Sequence, residues 1–438
     1  MTSSTERPSI RERAASWRRA RTLQARDEAL AKQERIDVRS GGNEYAVAED
    51  ERRGMRPEAR TTFVLGCVFV FIVLLAFIVP TYIFEHSMHA ATLSTMLDSM
   101  SSNLDNLIGV LTGNGDAGEQ RFCAVIVCAV SGAALGMCGS TYQGAFNNPL
   151  AAPKTLGVMA GGALGGLVFV LFLQDSGAQI PFEGSYTNEQ YQGWLASLTP
   201  LEWLWFQYGK CVCSMVGCFV VVGIVVGLTA WLGKGKLTNV VVIIFGQVFA
   251  ATVTALISFA RYYYTANGGI DMIDELKAIE NYTMIYNYGF TDLKIIVIPI
   301  LVCMVIILVM SRRLTLLSFG DDEAATMGIN VNATRYAMIV VCTIMVAVSI
   351  SFCGHVSYLG FISAQISRRL VGSDFRYLLP ASFFVGGSFL TVIQWICQSG
   401  LPYTDSYAAG TVCSVLGATL FVFIVLAQRG KGDSGVWR

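Results

Sequence analysis

The stretch "TYQGAFNNPLAAPKTLGV", residues 141–158, lies between two long apolar runs. Two asparagines, two prolines and a lysine interrupt the chain there. In a soluble protein such a loop needs no special explanation. Between two membrane spans it does, because polar backbone must then find protein or water partners. Pro149 and Pro153 cannot continue a helix and restrict the residues before them, so the turn is stiff. Asn148 has the side chain to bond the freed backbone.

The apolar context is set by composition. The 438 residues are 53% hydrophobic and only 14% charged, with a mean hydropathy of +0.53. A soluble domain carries roughly 25% charged residues. Thr62–Ile83, Cys211–Leu232 and Val240–Phe259 exceed the ~18 apolar residues that read as a membrane helix. Ile295–Met310 is a little shorter and has no charge inside it. The runs lack the alternation of a barrel strand. The expected fold is all-α, a polytopic membrane protein of about ten transmembrane helices. Their expected positions are 61–83, 121–145, 155–173, 208–232, 238–262, 292–312, 334–353, a short one at 355–370, 379–398 and 408–428. The net charge of zero gives no overall attraction to nucleic acid.

Residues 1–60 differ in kind, being rich in Arg, Glu, Ala and Gln. No secretory apolar segment precedes Thr61, so the first span reads as an uncleaved anchor. With this charged tail on the cytoplasmic side, only Arg121, Lys210, Arg261, Lys277 and Lys294, of 31 Lys and Arg, fall on the other side. That asymmetry orients the chain, with both termini cytoplasmic in the cell membrane. The expected organisation is a tail over 1–60, a membrane domain over 61–428 and a short cytoplasmic tail over 429–438. Most of the twelve cysteines lie inside apolar runs and read as small hydrophobes. His86 and His89 alone do not make a metal-ligand set.

No span has Asp, Glu or Lys near its centre, which argues against an ion-coupled relay. No GxxxxGK[ST] segment is present, so any ATP that drives the protein binds another chain. Gly132, Gly136 and Gly139 share one helix face, fitting either tight packing or a path-lining helix. In "LSFGDDEAATMGINV" (317–331), Gly320 and Gly328 bracket Asp321, Asp322, Glu323 and Ala324. Acids in a first turn and a glycine eight residues on read as a short capped helix, interfacial or docking.

"GAALGMCGSTYQGAFNNPLAAPKTLGV", "LSFGDDEAATMGINV", "GFISAQISRRLVGSDFRYLLP" and "GTVCSVLGATLFVFIVL" appear in order over residues 121–428. Together they resemble the signatures of the permeases that import iron chelates, haem and vitamin B12. The resemblance implies the transmembrane subunit of a large, ten-span ATP-binding-cassette importer. Such a subunit has no ATP site or cofactor of its own; ATP and Mg belong to a partner ATPase on the cytoplasmic side. A second permease subunit and an external substrate-binding protein complete the implied assembly in the lipid membrane. Carried over by position, Gly320–Gly328 would be the element coupling to the ATPase. Asn148, Pro149 and Leu150 would match the inner gate. Arg121 would match the first arginine of an external docking motif, whose proline and second arginine are absent from "RFCA" here. Ala364-Gln365 stands where the family has Pro-His, and Phe375 where it has His. Tyr142, Gln143, Gln247 and Tyr358 are candidate pathway groups, with bonding between helices as the alternative. The implied cargo is a siderophore-bound iron or a related tetrapyrrole, haem or cobalamin being alternatives. An ion-coupled transporter or channel is the rival class.

Overall fold

Apolar runs of membrane length satisfy their backbone internally only as helices or closed barrels, and this chain takes the helical solution. A computed structural model describes residues 57–78, 93–112, 116–175, 199–232, 239–266, 289–354, 356–400 and 412–419. The chain divides into two units, Met1–Arg60 and Thr61–Arg438. Nearly all of the first, and the C-terminal tail, lie outside the described residues.

The helices are α1 (Pro57–Ile78), α2 (Leu93–Thr112), α3 (Asp116–Ala145), α4 (Val158–Asp175), α5 (Pro200–Leu232), α6 (Asn239–Ala266) and α7 (Phe290–Val309). They continue with α8 (Ser311–Leu317), α9 (Asp321–Thr326), α10 (Val331–Cys353), α11 (Leu359–Val371) and α12 (Phe375–Gly400). A last helix, α13, spans 412–419. Six of them are long and apolar enough to cross a membrane, and seven if the α7–α8 pair, bent by 55° at Met310, counts as one. Two expected spans are shorter, α4 with 18 residues and α11 with 13. The last, 408–428, is described only over α13. Helix α2 falls where a long loop was expected. Its sequence, "LSTMLDSMSSNLDNLIGVLT", has too many serines and asparagines to read as a span.

Helix α3 is the centre of the bundle. Its glycine face packs without side chains between the backbones. A Cβ on Gly132 would meet Leu390 and Gly386 of α12, and one on Gly136 would meet the Ser382 carbonyl. A Cβ on Gly139 would strike the Gly360 backbone of α11. The pair α4–α5 repeats the device, with Gly161 against Gly217 and Gly165 against Cys213. Water drives no association between helices in lipid, so close van der Waals approach of small residues takes its place. The tight-packing reading of these glycines is the one the contacts describe. All twelve cysteines are free, and most are buried among these helices.

Two helices begin inside the bundle. Gly360, near the start of α11, lies against Leu135 and Gly139 of α3, six to ten residues before α3 ends at Ala145. At 1.5 Å per residue that is roughly 9–15 Å inward from the α3 terminus. Helix α4 starts at a comparable depth: Cys218, midway along α5, donates its thiol hydrogen to the Val158 carbonyl at 3.3 Å. Residues 146–157, and the described residues 354 and 356–358, are therefore irregular backbone that reaches into the bundle to meet these shorter helices.

If backbone contact holds the bundle, Gly139→Val and Gly165→Val should each cost on the order of 1–3 kcal/mol or more by overpacking. Gly223→Ala, which meets nothing within 4 Å, should be near neutral. Thermal denaturation of the detergent-solubilised protein checks this ranking. Equal melting of all three variants would contradict it.

Candidate functional site

The segment after α3 is shaped by its own side chains. Asn147 takes a positive φ of 43° and Gly157 one of 75°. The Leu150 N–H donates to Asn148 Oδ1 at 2.9 Å, and the Ala151 N–H to the Asn148 carbonyl at 3.1 Å. Thr155 Oγ1 accepts from the Ala152 N–H at 2.9 Å and donates to the Ala152 carbonyl at 2.7 Å. Ala151 and Leu156 are fully buried, whereas Leu150 is 47% exposed at the tip. Pro149 is half-buried beside it. The chain thus builds a stiff elbow that presents one apolar side chain outward.

The short helix α9 forms where the acids and glycines foretell it. Gly320 before it has φ 126° and Gly328 after it φ 82°, conformations that favour glycine. Asp321, Asp322 and Glu323 occupy its first turn, where the helix dipole favours carboxylates. Ala324 is buried beneath it, and Asp322 and Glu323 are exposed. Phe319 at 61% and Met327 at 52% flank it as exposed apolar groups.

Asp321 has a different environment from its neighbours. It forms a bidentate pair with Arg335 of α10, at 2.7 and 3.2 Å. Arg335 is only 1% exposed. Its Nε donates to the Ala145 carbonyl at 2.8 Å, and its guanidinium lies 5.7 Å from the centroid of the Phe146 ring. Asn330 caps α10, its Oδ1 accepting from the Ala333 N–H at 3.0 Å, and so fixes where Arg335 emerges. One buried cation therefore joins α9, the first turns of α10, and the residues that open the elbow. Sequence reading counted Arg335 only as one more loop charge. An arginine one turn inside the apolar run Val331–Cys353 is the signal that could have found it.

The other candidates are dispersed. Tyr142 is fully buried and stacks on Phe146, with ring centroids 6.3 Å apart. Gln143 is 3% exposed, and its Oε1 accepts from Arg368 Nη2 at 3.3 Å, tying α3 to α11. Gln247 is exposed on α6, one residue from Gly246, which packs on Thr155 and Leu156. Tyr358 is half-buried with φ 62°, and Lys154 Nζ sits 4.3 Å from its ring centroid. Arg121 falls within α3, but its side chain lies outside the described residues. Ala364 and Gln365 are both buried on α11, and the Phe375 ring packs against Gly144. A cavity of about 250 Å³ between α3, α7 and α12 is lined by apolar groups such as Met137, Met304 and Phe383. It offers nothing to a polar cargo. Among the described residues no cluster of His, Cys, Asp and Glu is arranged to hold a metal ion.

This architecture has relatives. The chain is 26% identical over 312 residues to the hemin transport system permease protein HmuU of Yersinia pestis, covering 70% of this chain and 82% of that protein. It is 27% identical over 319 residues to the vitamin B12 import system permease protein BtuC of Klebsiella pneumoniae, covering 72% and 83%. The iron-uptake system permease protein FeuC of Bacillus subtilis is 24% identical over 318 residues, covering 72% and 85%. A solved inward-facing conformation of a metal-chelate type ABC transporter shares the fold at TM-score 0.60 and 20% identity, covering 84% of this chain and 99% of that one. The profile of the FecCD transport family matches residues 87–427, and a match of that extent makes this multi-pass membrane chain a member of the FecCD transport family.

Proposed function

We propose that the chain is the permease of an importer for a bulky iron chelate or a related tetrapyrrole, driven by a separate cytoplasmic ATPase. The relatives named for hemin, vitamin B12 and iron uptake support the cargo class. The observation that carries the mechanism is the buried Arg335, which binds Asp321 of α9 on one side and the Ala145 carbonyl on the other. In this reading α9 seats in the ATPase, with Phe319, Asp322, Glu323 and Met327 forming its outward face. Two permease subunits pair, and the elbows at Asn148–Leu150 approach each other at the inner mouth of a central path. ATP and Mg bind the ATPase. When it closes, α9 is displaced, Arg335 carries the displacement to the end of α3, and the elbow moves. A substrate-binding protein delivers cargo outside, and both termini lie in the cytoplasm.

Three outcomes follow. Lysine at Asp322 and Glu323 should abolish co-purification of the ATPase and cargo uptake while leaving the fold within about 0.5 kcal/mol, as expected of exposed positions. Unchanged co-purification and uptake would remove α9 from the coupling role. Asp321→Asn should behave differently, because it removes the carboxylate that pairs with the buried Arg335 guanidinium. It should lower stability by about 1–2 kcal/mol, because the Asp321 side chain is 48% exposed and Arg335 keeps its bond to the Ala145 carbonyl, and uncouple ATP hydrolysis from uptake with the ATPase still bound. Paired measurements of uptake and hydrolysis in proteoliposomes separate the two phenotypes. Finally, Leu150→Cys should cross-link two permease subunits through a short bismaleimide, in a yield that changes with nucleotide. Absence of the cross-link in every nucleotide state would place the elbow away from the axis.

A further inference from the structure

The elbow does not stop at the end of the bundle. Its last residues, Thr155 and Leu156, pack on Gly246 of α6, whose Cβ would strike their backbone. Gly246 is seven residues from the start of α6, about 10 Å along the helix. The second irregular segment arrives from the opposite direction. Cys353 at its start lies 3.9 Å from the Val127 carbonyl of α3, and Gly360 just beyond it rests on Gly139. The two segments meet where the Lys154 ammonium stands over the Tyr358 ring, 4.3 Å from its centroid.

Three features of this meeting point are unusual for packed protein. Irregular backbone at membrane depth persists where it is buried in protein or lines a water-filled cavity. Lys154 and Tyr358 are each only partly buried. Tyr358 holds φ 62°, in a region that bulky residues rarely occupy, and such conformations cluster at binding sites. Among the described residues no carboxylate pairs with Lys154; its contact is the face of an aromatic ring. A ring face contributes on the order of 0.5–2 kcal/mol to a cation, less than the cost of an intramembrane charge by most measures. Intramembrane cations without counter-ions mark pathways for ions or substrates. Nearby, α4 begins four residues after Lys154 and α11 one residue after Tyr358. Their positive ends add to the field of the ammonium.

We propose that Lys154 and Tyr358 form a binding station for the anionic group of the cargo, selecting net-anionic, carboxylate-bearing chelates over neutral or cationic ones. The ammonium supplies the counter-charge, and the ring supplies a flat apolar face beside it. The proposal rests on the importer reading above and narrows its cargo class.

The test uses the full complex with its ATPase in proteoliposomes and four probes. Ferric citrate and haemin are anionic, cyanocobalamin carries no net charge, and ferrioxamine B is cationic. The expected result is ATP-dependent uptake of an anionic probe. Lys154→Met should raise its KM at least ten-fold, and Lys154→Arg should stay within about three-fold of the parent. Tyr358→Leu should raise KM with Lys154 intact. Should Lys154→Met not co-purify with the ATPase, Lys154→Gln keeps the length and polarity of the side chain while removing its charge, and is judged by the same ten-fold criterion. Parent-like KM in the charge-removing variants would overturn the proposal, as would a parent complex that imports only the neutral or cationic probe. In both of those cases ATP-driven chelate import itself stands. Failure of all four probes to enter would instead overturn the chelate-importer reading, and the station with it.

Discussion

The backbone of α3 runs in direct contact with the backbones of α11 and α12, and the rest of the bundle is arranged around that contact. It exists because Gly132, Gly136 and Gly139 fall on one face and meet Gly386, Ser382 and Gly360. The contact also sets the depth at which α11 starts. With a side chain at residue 139, Gly360 could not lie on α3, and Tyr358 would be displaced with it. The strained tyrosine and its lysine partner are thus held in place by a residue that has no side chain.

A second constraint acts at the end of the same helix. Arg335 is nearly inaccessible, so its charge must be matched inside the protein. The match comes from groups on two different segments, a carboxylate of α9 and a carbonyl of α3. Breaking either removes one of the groups that compensate a desolvated charge. A second ion pair, Asp374 with Arg376 at 3.2 Å, shows the contrast. Arg376 is 52% exposed where Arg335 is 1% exposed, and a pair whose cation sits in solvent contributes at most about 1 kcal/mol. It shapes the turn into α12, where Asp374 Oδ1 also accepts from the Arg376 N–H at 3.0 Å.

The long spans and the α9 helix were legible in the sequence, since a hydropathy window and a pair of glycines around a run of acids report local physics. What escaped was set by tertiary contact. Helix α2 is amphipathic and interrupted by serines and Asn103, whose Nδ2 donates to the Ile78 carbonyl at 3.1 Å; no window of membrane length is apolar enough to announce it. The depth at which α4 and α11 begin depends on which glycine each meets, and no local pattern encodes that. Lys154 read as an ordinary loop charge that gave the loop its side of the membrane. In the fold its ammonium points to an aromatic ring within the bundle. Arg335 and Asp321 are 14 residues apart, a spacing that no helix or turn rule singles out.

The pairing of Asp321 also changes what a partner protein would meet. Three consecutive acids suggest a strongly anionic knob. One of them is already neutralised by Arg335, so the electrostatic valence of α9 is closer to two. The remaining carboxylates sit between Phe319 and Met327, both more than half exposed. A complementary cleft would therefore be chiefly apolar with a modest basic rim. Its grip would weaken only slightly with ionic strength, because screening acts on the rim and not on the apolar contact.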